Sequence, residues 1–155
     1  MGNHAAGRQR GSDVLKPRML LLVKADYPDT AAALLSIIAQ AGYRVEQIDR
    51  LPESLPGENT ILIVHLLSTL HDRKDISGYE EFLRKYARLP NRDRIRLVVV
   101  SPPISEGPDR MVGYGTLVDC YVTEAAAPLQ LASFLQRLCE DFDTKLPSPR
   151  DATRR

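Results

Sequence analysis

The sequence predicts a doubly wound α/β domain: one five-stranded parallel sheet, strand order 2-1-3-4-5, with helices on both faces. Three observations lead there. The runs Met19–Val23 and Ile61–Val64 are apolar without alternation, which suits strands buried on both sides. Amphipathic stretches with apolar residues three and four apart separate the runs. A chain of 155 residues is the size of one domain and can bury a real core.

The elements follow in order. Met19–Val23 is the first strand. Pro28 suits the first turn of a helix, where a missing N–H is harmless, and Asp26 just before it reads as a capping acid. Leu34, Leu35, Ile37, Ile38 and Ala41 continue at helical spacing until Gly42 stops the helix. Val45–Ile48 is the second strand and Ile61–Val64 the third, central one. Asp75 or Ser77 is positioned to cap a helix bearing Tyr79, Phe82, Leu83, Tyr86 and Leu89. Ile95–Val100 is the fourth strand and Leu117–Thr123 the fifth. Pro128 opens a last helix with Leu129, Leu131, Ala132, Leu135, Leu138 and Phe142.

Two crossovers are expected to be stunted. Arg50–Asn59, between strands 2 and 3, holds two prolines and a glycine and has room for one helical turn at most. Ser101–Thr116 holds three prolines and three glycines, so any helix there is short, near Arg110–Tyr114. Residues 1–17 read as a flexible leader, 18–143 as the folded domain and 144–155 as a loose tail.

Composition narrows the function classes. At 43% hydrophobic and 26% charged residues, the chain is not wholly disordered. A net charge of +1 lacks the basic excess of a nucleic-acid binder. No apolar run reaches the roughly 20 residues of a membrane helix, and the N terminus has no apolar signal core, so a cytoplasmic protein is expected. Cys120 and Cys139 read as small buried hydrophobes.

Familiar catalytic signatures are missing. The sequence holds no GxxxxGK[ST], no GxGxxG after the first strand, no GxSxG and no HExxH. Val112–Thr116 contains a GxG that follows no clear strand. His65 and His71, with Asp72 and Asp75 nearby, read as a solvated loop rather than a metal site.

The strand ends are the informative positions, because ligands bind at the carboxyl ends of the strands in such sheets. Here the sequence resembles the receiver domains of response regulators, which have a flavodoxin-like fold, from about Met19 to Phe142. "LLLVKAD…LLSIIAQAGYRVEQID" is similar to a receiver's first strand, first helix and second strand. "LVVVSPP" is similar to its fourth strand, and "DCYVTEAAAPLQLASFLQRL" to its ending. The resemblance implies an acidic pair after strand 1 and an acceptor Asp after strand 3, together holding a divalent cation. It also implies a Ser or Thr after strand 4 and a Lys after strand 5 to hold the phosphoryl group.

Position by position, most of that set is absent. Ala25 stands at the first acidic position and Asp26 keeps the second. His65 falls where the acceptor Asp belongs, and Ser101 keeps the hydroxyl. Glu124 stands where Lys is expected, with Ala125 in place of the usual Pro. Tyr121 matches the switching aromatic. A lone carboxylate makes a poor Mg²⁺ site, and Glu124 would repel a phosphoryl group.

The resemblance therefore implies a pseudo-receiver: no catalytic residue, no cofactor, and a role in bacterial signalling through a protein partner or homodimer. The interaction surface is expected around Tyr114, Tyr121, Thr123 and Leu129, with the thinly covered second sheet face beside it. The competing expectation is a small-ligand or nucleotide-binding flavodoxin-like protein, possibly an enzyme, using the polar strand-end pocket of Asp26, His65, Ser101 and Glu124.

Overall fold

A computed structural model describes residues 16–55, 57–72, 74–102 and 117–143. The elements are β1 (Arg18–Leu22), α1 (Pro28–Gln40), β2 (Val45–Ile48), β3 (Thr60–His65), α2 (Ser77–Ala87), β4 (Ile95–Ser101), β5 (Cys120–Thr123) and α3 (Ala127–Asp143). Short 3₁₀ turns, Leu66–Thr69 and Arg92–Arg94, follow β3 and precede β4. All five strands are parallel and ordered β2-β1-β3-β4-β5, an α/β sheet consistent with a flavodoxin-like fold. The expected topology and the central position of Ile61–Val64 are both present.

Successive side chains of a strand point to opposite faces, so each strand feeds two cores. Met19, Leu21, Ile61, Ile63, Val98 and Val100 meet Ala31, Leu34 and Ile38 of α1 and Leu131 and Leu135 of α3. Leu20, Leu22, Leu62, Val64, Leu97 and Val99 meet α2 through Tyr79, Phe82, Leu83 and Tyr86, spaced i, i+3, i+4, i+7 along one helix face. β3 is buried at every residue, which is why its sequence shows no alternation.

Three local expectations are corrected. The fifth strand begins at Cys120 rather than Leu117. Asp119 intervenes: its carboxylate accepts the Leu97 N–H (2.8 Å) while its own N–H donates to the Leu97 carbonyl (2.9 Å), so a side chain replaces a ladder bond. Asp26 does not cap α1. Tyr27 holds the cap position, no side chain bonds there, and Asp26 is exposed. Cys120 and Cys139 are half-buried, Cys120 because it lies on the outer strand β5 and Cys139 on the flank of α3 beside Tyr43.

Two glycines answer to geometry. Gly42 adopts φ 97°, a left-handed turn that closes α1 and that side chains resist. At Gly78 a Cβ would run into the Thr69 carbonyl oxygen, so α2 starts tight against the first 3₁₀ turn only because no side chain intervenes.

Among the described residues of the link from β2 to β3, 49–55 and 57–59, there is no helix, within the expectation of one turn at most. Leu51 and Leu55 reach back from it onto the α2-side core. The expected short helix at Arg110–Tyr114, Tyr114 itself, the GxG at 112–116, and most of the leader and the whole tail lie outside the described residues.

Candidate functional site

The strand ends converge on His65, the last residue of β3 and 0% exposed. Its Nδ1 lies 2.8 Å from Ser68 Oγ and its Nε2 lies 3.2 Å from Glu124 Oε2. Tyr27 presses edge-on against the imidazole, with ring centroids 4.8 Å apart at 72°. Ser68 is also buried, and its Oγ accepts the Lys24 N–H at 2.9 Å.

The proton arrangement follows from the donors available. A carboxylate only accepts, so Nε2 carries the hydrogen that points to Glu124. Ser68 Oγ already accepts from Lys24, which leaves its O–H free to donate to Nδ1. A neutral imidazole therefore has both nitrogens satisfied, and a protonated one would form an ion pair with Glu124. The Glu124 side chain is 31% exposed, so this pair joins a fully buried ring to a carboxylate that still touches water.

Local structure explains the assembly. A 3₁₀ turn has three residues per turn, so residues i and i+3 stack on one side; the turn after β3 thus returns Ser68 over His65. Glu124 starts the turn after β5, and its N–H donates to the Ser101 carbonyl (2.8 Å), which ties it to the end of β4. Tyr27 is set by a tight turn in which its N–H donates to the Lys24 carbonyl at 3.0 Å.

Of the positions singled out by sequence, His65 and Glu124 touch, and Ser101 adjoins Glu124 through backbone. Ala25 and Asp26 stay exposed on the turn after β1. His71 is separate and exposed, 3.6 Å from Glu81. Among the described residues, no cluster of three or more His, Cys, Asp or Glu side chains is arranged to hold a metal ion. Ser68 and Tyr27 were not anticipated. The i+3 spacing from His65 was the signal for Ser68; nothing in the sequence marked Tyr27 beyond its place before Pro28.

At the β5 margin, Tyr121 is 40% exposed on the α2 side of the sheet, and Leu129 is 88% exposed in the first turn of α3. They are the exposed large hydrophobic residues among those described. Burial, with the Tyr121 hydroxyl adjoining, raises the Tyr79 phenol above the usual tyrosine range. The Thr123 hydroxyl is engaged within the turn, accepting the Ala126 N–H at 3.2 Å.

A separate cleft of about 1180 Å³ opens between the Gln47–Glu53 stretch and the C-terminal half of α2, with Ala25 at its upper end. No protein-family model and no curated protein matches the chain.

Proposed function

We propose that the chain is a pseudo-receiver: a receiver-type α/β domain that works by contacting other proteins and does not depend on phosphorylation. The observation that carries this reading is the pairing of the buried His65 ring with the half-buried Glu124 carboxylate. In a working receiver the end of β3 would offer a carboxylate to a phosphoryl donor, and the end of β5 would offer a lysine. Here the β3 position is an imidazole with both nitrogens engaged. The β5 position is a carboxylate that would repel the phosphoryl oxygens. The exchange of an acid–base pair for a base–acid pair keeps the strand ends joined while removing the chemistry.

With the reaction removed, the surface carries the function. Tyr121 on β5 and Leu129 in the first turn of α3 are the exposed large hydrophobic residues among those described, and they are the contact residues this reading assigns. Tyr121 offers an aromatic face with a polar tip, a residue type enriched in interfaces.

The experiment compares the full chain with Tyr121→Glu/Leu129→Glu, both used as bait in the source cell's lysate and both run through sedimentation over a dilution series. The reading predicts a partner or a homodimer that the double variant loses, with an unchanged circular dichroism spectrum. Capture or self-association that is the same for both baits, or absent for the parent chain, overturns it.

A further inference from the structure

The cleft beside α2 occupies the layer that a crossover helix between β2 and β3 would fill. The described residues of the link form no helix, and beside the cleft Leu51 and Leu55 of the link join α2 in the core on that side of the sheet. The cleft has a volume of about 1180 Å³ and runs along residues 47–53 on one side and Lys85, Arg88 and Leu89 on the other.

Its lining is amphipathic. Ile48, Leu51 and Leu89 supply an apolar strip. Lys85 and Arg88, both exposed, form the α2 wall at the end of that helix. The opposite wall holds Asp49 and Glu53 with Arg50 between them, and the Arg50–Asp49 approach of 3.9 Å is solvent-exposed and weak. One wall is therefore basic and the other acidic on balance. A small anion would meet carboxylates across the cleft, whereas a helix with opposite charges on its two flanks meets a complement on each side.

We infer that this groove receives an amphipathic helix of a partner protein, apolar stripe inward, with its acidic flank against Lys85 and Arg88 and its basic flank against Asp49 and Glu53. The inference rests on the interaction-module reading and names the partner's chemistry. It is a helix-in-groove contact, anchored by residues at i, i+3, i+4 and i+7.

The probe is a synthetic amphipathic helical peptide with leucines at those positions, glutamates along one flank and lysines along the other. The control has the same leucines with lysines on both flanks. Each is titrated into the isotopically labelled full chain and followed by backbone amide shifts. The expected result is saturable shifts at Ile48, Leu51, Lys85, Arg88 and Leu89, with the mixed-charge peptide binding at least tenfold more tightly than the control. In Lys85→Glu/Arg88→Glu the order of the two peptides should invert, while amides of α1 and α3 report an intact fold.

Any of four results overturns the proposal: neither peptide moves the groove amides; both bind alike; the groove amides move on dilution of the chain alone, which makes a second copy the occupant; or the free chain shows contacts between the groove and residues 1–15, which makes its own leader the occupant. Failure here with capture through Tyr121 and Leu129 intact removes the groove alone. A phosphoryl-type response at Asp26, His65 and Ser101 removes the module reading itself.

Discussion

Ser68 holds the site together with one oxygen. It accepts the Lys24 N–H and bonds His65 Nδ1 in a place closed to water. Ser68→Ala leaves both groups without that partner, and an unmet buried polar group costs about 1–3 kcal/mol. Urea denaturation should show a loss in that range; a change below about 0.5 kcal/mol, the usual size for a surface substitution, would mean the network is incidental. Cys120 makes a pH prediction. Burial is the main reason its thiol is pushed from 9.0 up to about 11; Arg137 opposes the rise and Asp119 adds to it. The unfolded chain then releases this proton before the folded one does. The thiol's contribution to stability is complete below pH 9 and is lost as pH rises towards about 11. Because the side chain is half-exposed the slope is shallow. Urea midpoints of the parent chain should fall more steeply over that interval than those of Cys120→Ser, and parallel curves would contradict the assignment.

At the scale of elements, α2 and the 3₁₀ turn before it depend on Gly78. Helix propensity alone favours Ala over Gly by roughly 0.5–1 kcal/mol. The steric term opposes it, since the new Cβ meets backbone that cannot swing aside. Overpacking of this kind costs about 1–3 kcal/mol, so Gly78→Ala should lower the melting temperature; a rise would show that the turn yields easily. The elements also show what the residues reveal in advance. β3 was legible because burial on both faces leaves the apolar run Ile61–Val64, β4 through Leu97–Val100 despite the buried Arg96 near its start, and α2 because Tyr79, Phe82, Leu83 and Tyr86 recur at the helical period. The start of β5 was not, because Asp119 satisfies Leu97 with a side chain, and apolar patterning is blind to a bond of that kind. The absent cap on α1 was hidden for a related reason. Asp26 has the right chemistry at nearly the right position, but the turn at Lys24–Tyr27 leaves it facing water.

For the whole molecule, five parallel strands bring residues far apart in the chain to one end of the sheet. His65 and Glu124 are 59 positions apart and meet because β3 and β5 flank β4. That meeting could be anticipated from strand order, and the pair's two positions were named from strand ends. Its third member, Ser68, depends on a 3₁₀ turn that apolar periodicity does not encode. Among the described residues, one sheet face is covered by α2, the turn at Leu66–Leu70 and the β2–β3 link, and a cleft of about 1180 Å³ opens beside them. The most direct test of the central claim is an amide titration of the full chain with beryllofluoride and Mg²⁺. The account predicts no saturable shift at Asp26, His65 or Ser101, since an engaged imidazole and a carboxylate stand where acceptor and lysine are needed. Saturable shifts clustered at those three residues, at millimolar reagent, would contradict it.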